Sequence, residues 1–199
     1  MKRGVGFKST PLLYVNNMDY NKLSNKFKPD VINILLIGEA PPPNRKNYFY
    51  KVPEKYPTRK SSIEDDTSLP ATIFNHYFGR RPNDTKEYEQ FLECLKEKGV
   101  FLIDIINLPL EIRKKDKSLN QENIDKLISD ENLNDLDKRI NSLINNDKKV
   151  IFLLARTKYL KKLKTKFPNY SFITWKCFRL DITEAKDCKK YNPKTISAT

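Results

Sequence analysis

The chain has 199 residues, enough to fill one hydrophobic core and too few for two full domains. Its 38 lysines and arginines against 25 aspartates and glutamates leave a net charge of +13, a field that favours a polyanionic partner, nucleic acid above all, although a biased genome also enriches lysine and asparagine. No apolar run approaches the roughly 20 residues of a membrane span, no signal-peptide pattern opens the sequence, and Cys94, Cys177 and Cys188 are too few and too scattered for a disulfide framework or a zinc ribbon, so we expect a cytoplasmic compartment; we also expect a monomer with no metal site.

Residues 1–10 are basic and small, and suit either an arm along a phosphate backbone or a disordered end. Asn16 or Asn17 can cap a short helix from Asp19 to Phe27, which Pro29 ends. The run Val31 to Ile37 is β-branched and almost wholly apolar, as in a strand buried on both faces of a parallel sheet. It stops at Gly38-Glu39-Ala40-Pro41-Pro42-Pro43, where three prolines remove three backbone donors and fix φ. Gly38 permits a close approach that a side chain would block, and Glu39 sets a carboxylate at the strand's C-terminal end, where open α/β sheets bind ligands. Tyr48, Phe49 and Tyr50 follow.

Residues 51–70 carry Pro53, Pro57 and Pro70 and many charges, the pattern of a loop over the mouth of a site. A short helix is predicted from Ala71 to Phe78, broken by Gly79-Arg80-Arg81-Pro82. Asp84 and Glu87 make a variant capping box for a helix with a core stripe of Tyr88, Phe91, Leu92 and Leu95, which Gly99 stops. Val100 to Ile106 is the second predicted strand, with one charge, Asp104, in an otherwise apolar run. Ser118 and Gln121 form another capping box, opening two helices with a joint near Ser129 to Asn132. The third strand, Lys149 to Leu154, leads through Arg156 into a helix with Leu160, Leu163 and Phe167 inward and Lys158, Lys161, Lys162, Lys164 and Lys166 on its other face. The fourth strand is Tyr170 to Trp175. Crossovers of at least ten residues imply a single domain over 1–199, with a core at about 16–181: a four-stranded parallel sheet between helices, three layers deep.

The pattern GEAPPPxxxxYFY after an apolar strand resembles the first motif of the uracil-DNA glycosylase superfamily, in which Gly-Glu-Ala-Pro or a relative closes strand one and an aromatic ring follows. The strand around Asp104 resembles the superfamily's second strand, where this position is asparagine in some branches and aspartate in another. The resemblance implies an αβα fold of that type and hydrolysis of the N-glycosidic bond of uracil or another damaged base in DNA. It implies no cofactor, and three cysteines cannot supply the four-cysteine iron–sulfur cluster of one branch. On this reading Asp104, with Glu39, handles the water, Phe49, with Tyr48 and Tyr50 beside it, stacks the flipped base, and Gly38, Ala40 and Pro41 belong to the base-binding pocket. Asn107 reads the base edge through an amide that both donates and accepts. Arg156, Lys158, Lys161 and Lys162 follow the DNA backbone.

Two departures stand out. Ala40 replaces an acid found in other branches, and the histidine motif expected after strand four is replaced by Thr174-Trp175-Lys176-Cys177-Phe178-Arg179-Leu180, leaving Lys176 or Arg179 to assist the departing base. His76, the only histidine, sits among aromatics and suits packing better than catalysis. Asp104 satisfied by backbone amides, a nucleic-acid-binding protein without chemistry, and an enzyme acting on a free nucleobase or nucleoside are the alternative readings.

Overall fold

A computed structural model describes residues 20–42, 47–56, 68–107, 109–110, 117–145, 148–155 and 157–174. The elements are α1 (Tyr20–Lys26), β1 (Ile34–Gly38), α2 (Leu69–Phe78), α3 (Thr85–Glu97), β2 (Val100–Asp104), α4 (Lys117–Leu127), α5 (Asp130–Leu143), β3 (Lys149–Leu154), α6 (Leu160–Lys166) and β4 (Ser171–Thr174). All four strands are parallel, in the order β2-β1-β3-β4. The expected α/β architecture is therefore present.

The layers follow from this order. The chain moves from β1 to β2 in one direction, then back past β1 to β3 and onward to β4. With right-handed crossovers, α2 and α3 cover one face, and α4, α5 and α6 the other. Side chains agree with this arrangement. Lys26 of α1 pairs with Glu89 of α3 at 2.5 Å on one side, while Lys162 and Lys166 of α6 reach Asp130 and Asn134 of α5 at 2.9 and 2.6 Å on the other. β1 lies between β2 and β3 and is buried from Leu35 to Gly38, as its unbroken apolar run requires.

Several boundaries differ from expectation. β1 starts at Ile34 rather than Val31, because Val31 is 63% exposed and both Asn33 and Ile34 donate to the Gly99 carbonyl, using this segment as an approach to the sheet. β2 ends at Asp104, not Ile106, because its partner β1 ends opposite it at Gly38. Asp104 thus stands at the open C-terminal end of the ladder, which removes the apparent oddity of a charge inside a strand. α2 begins two residues early, capped by Ser68, whose Oγ accepts from the Ala71 amide. Ser118 lies inside α4 and is no N-cap, since that helix already includes Lys117. The joint between α4 and α5 is capped by Ser129, whose Oγ accepts from the Asn132 amide at 3.3 Å.

Candidate functional site

The strand order reverses between β1 and β3, and ligands of open parallel sheets bind beyond the carboxyl ends of the strands at such a switch point. Glu39, the first residue after β1, spans it. Its Oε1 accepts from the Ala155 amide, the first residue after β3, at 2.6 Å, and from the Tyr159 hydroxyl just before α6. Two donors on one oxygen hold this carboxylate in a fixed orientation.

Asp104 ends β2 one strand away. A Cβ at Gly38 would collide with Asp104 Oδ1 and lie 3.6 Å from its Cγ, so the glycine is the space in which this carboxyl rests. Burial pushes the Asp104 carboxyl up to about 7; Arg139 opposes that rise and the nearby Glu39 adds to it. The group is poised between its two protonation states at neutral pH.

The outward edge of β2, which has no strand beside it among the described residues, is closed by side chains. The Tyr50 hydroxyl accepts from the Leu102 amide at 2.6 Å and donates to the Leu102 carbonyl at 3.1 Å. Arg139 of α5 donates through Nη1 to the Asp104 carbonyl at 2.9 Å and through Nη2 to the Ile105 carbonyl at 2.5 Å, while its Nε is tied to Asp135 at 2.8 Å. These bonds satisfy backbone groups that would otherwise lack partners.

Both carboxylates line a cavity of about 280 Å³, just below the size range of pockets for drug-sized ligands. Its walls include Tyr48, Phe49, Tyr56 and Tyr88, with Leu102 and Leu153 from the sheet and Lys51 as the one cation among its lining residues in the described chain. The aromatic turn is rigid, because the Tyr88 hydroxyl donates to the Phe49 carbonyl at 2.8 Å and the Lys51 amide to the Tyr48 carbonyl at 3.0 Å. Tyr48 and Phe49 are 8% and 4% exposed, with Tyr48 edge-on to Tyr20 and Phe49 edge-on to Tyr50. The result is a small, largely apolar chamber with two acids in its wall.

Gly38, Glu39, Ala40, Tyr48, Phe49 and Asp104 meet at this cavity. Pro41 is buried but is not part of its lining, which takes Pro42 instead. Asn107 also lies outside the lining; it is exposed, and its Oδ1 accepts from Arg139 at 3.4 Å. Lys158, Lys161 and Lys162 are exposed around α6, with Lys161 beside Lys164 in a shallow hollow. Arg156, Lys176 and Arg179 lie outside the described residues, as do residues 1–19, 57–67 and the segment after Thr174. His76 lines no part of the cavity, and burial lowers it to about 4, leaving it neutral at pH 7.

Arg139 and Tyr159 were not expected. Tyr159, 1% exposed, extends the stripe of Leu163 and Phe167 by one turn, a spacing visible in the sequence. Arg139 carries no such signal, since it stands beside the core residue Ile140 like any flanking charge. Among the described residues, no three His, Cys, Asp or Glu side chains converge as a metal site, and no helix is long and apolar enough to cross a membrane. No family model, curated protein or solved structure matches this chain.

Proposed function

We propose that this protein is a DNA glycosylase of the uracil-DNA glycosylase type, which hydrolyses the N-glycosidic bond of uracil or another damaged base. The observation that carries the proposal is the meeting of Asp104 and Glu39 in the wall of an aromatic chamber on the C-terminal edge of the sheet. A base flipped from DNA needs a dry, flat-walled pocket, and the sugar left at its mouth develops positive charge as the bond breaks. Tyr48 and Phe49 supply the wall. Glu39, fixed by Ala155 and Tyr159, is the anion that steadies the sugar cation.

Asp104 accepts the proton of the attacking water. A carboxylate near 7 is a stronger base than one on the surface and still substantially ionised at neutral pH. The water oxygen bonds to C1′ of the sugar, its proton passes to Asp104, and the electron pair of the broken C1′–N bond leaves with the base. Lys51 lines the chamber and offers positive charge to that departing anion, a role that Lys176 or Arg179 can share. The net charge of +13 and the lysines around α6 favour a nucleic-acid substrate.

The test is incubation with labelled oligonucleotides, single- and double-stranded, carrying uracil, hypoxanthine, xanthine or a mismatch, followed by alkali to break abasic sites. Alkali-sensitive cleavage of one of them is expected. Salt-sensitive DNA binding without cleavage would replace this reading by a binding protein. Tight binding of a free base or nucleoside, with little affinity for DNA, would replace it by an enzyme acting on the small molecule.

A further inference from the structure

Arg139 makes more directed contacts at the end of β2 than any other side chain described, and it belongs to no part of the chamber wall. Its guanidinium takes the Asp104 and Ile105 carbonyls with two nitrogens and the Asn107 amide oxygen with one of them. The turn from Asp104 to Asn107 is thereby closed like a buckle. The third nitrogen, Nε, is anchored by Asp135 one helical turn earlier, an i,i+4 pair that fixes the arginine's direction. A guanidinium presents a rigid planar fork, so this set of acceptors requires arginine rather than lysine.

We propose that Arg139 is a positioning residue of this site: it holds the backbone that aims the Asp104 carboxyl over Gly38, and its charge biases that carboxyl toward the proton-accepting form. The inference rests on the role of Asp104 given above. Asp104 is faced by Glu39 from the turn after β1, by Arg139 from α5, and by Tyr48 and Tyr50 from the aromatic turn. Glu39 repels its negative charge, and burial of Tyr48 and Tyr50 keeps their hydroxyls neutral at ordinary pH. Among the described groups facing Asp104, Arg139 is the one that favours ionisation.

Two measurements test the proposal on the full chain, Arg139→Gln, Arg139→Lys and wild type. The first follows single-turnover base excision against pH. Wild type should lose activity as pH falls through about 7, and the midpoint should move upward in Arg139→Gln, so that the variant's deficit is about tenfold larger near pH 6 than near pH 9 for each unit of displacement. Arg139→Lys should keep a midpoint near that of wild type but reach a lower plateau. The second is carbon-13 NMR titration of the Asp104 carboxyl, assigned by its loss in Asp104→Asn, which needs no catalysis. An upward-moved titration in Arg139→Gln is expected there as well. An unmoved carboxyl titration, or a deficit equal at every pH, would overturn the proposal and reduce Arg139 to a structural brace. If Arg139→Gln does not fold, Asp135→Asn, which frees Arg139 Nε, carries the same titration, and an Asp104 midpoint unmoved there would overturn the proposal. Wild type inert on every substrate but with an Arg139-dependent Asp104 titration would remove the glycosylase and leave the coupling intact.

Discussion

Asp104 Oδ1 lies in the space that a Cβ on Gly38 would need. The two residues face each other in the ladder, at the last rung of β1 and β2. The turn glycine and the Asp104 carboxyl are thus one feature: the strand can end with a carboxyl laid across its neighbour only because that neighbour has no side chain.

Gly38→Ala should therefore displace the carboxyl. Forcing a methyl group into packed space costs roughly 1–3 kcal/mol, because the obstacle is the Asp104 side chain, whose own backbone carbonyl is tied to Arg139. Chemical denaturation should register that loss, accompanied by a fall in excision. An alanine variant as stable and as active as wild type would mean that the carboxyl is free to turn elsewhere.

Asp104 should also leave a pH signature on stability. Its folded carboxyl holds a proton up to about 7, against 3.8 for the ordinary group, so between these values the folded state binds a proton that the unfolded state has lost. Stability contributed by Asp104 is full below about 4 and is lost as pH rises toward 7. His76 acts in the opposite sense: its folded value near 4 lies below the ordinary 6.5, so its contribution is present above that ordinary value and is lost as pH falls toward 4. Comparing wild type with Asp104→Asn isolates the first effect. The advantage of the asparagine variant in thermal melting should grow from pH 4 to pH 7 and then level off, whereas a constant difference would refute the raised carboxyl.

Much of this was readable beforehand. Short runs rich in apolar, β-branched and aromatic residues marked the four strands, and Tyr88, Phe91, Leu92 and Leu95 marked the buried face of α3, since both signals are local. The limits of β1 and β2 were not, because they depend on register between strands more than sixty residues apart. Asp104 stood out as a lone charge, yet its location at the strand end came only with that register. Asn107 attracted notice as an amide after a strand, but its oxygen is turned to Arg139, a partner 32 residues away on a helix surface. No local pattern distinguishes such an arginine from a solvated one.

Tyr159→Phe should loosen Glu39. Removing a donor to a partly exposed carboxylate costs about 1–2 kcal/mol, and the Ala155 amide remains to hold the group. A lower melting temperature with a modest fall in excision is expected. Unchanged values for both would show that Tyr159 contributes only its ring to the core.

The lysines around α6 give a salt-dependence test. Lys162 is paired with Asp130, whereas Lys158 and Lys161 make no ion pair with a described residue. If each contacts a phosphate, the double change of Lys158 and Lys161 to alanine should reduce the slope of log affinity against log salt by roughly 1.4 to 1.8, and Lys162→Ala should do less than either. An unaltered slope would move the DNA path away from α6.

The most direct test is single-turnover excision by wild type and Asp104→Asn, with protein in excess over the preferred oligonucleotide and DNA affinity measured on the same samples. An asparagine cannot take the water's proton, and loss of a general base lowers rates by about 10²- to 10⁴-fold. The account predicts a fall of that order with unchanged DNA affinity. Equal excision rates in the two proteins would contradict it and remove Asp104 from the chemistry.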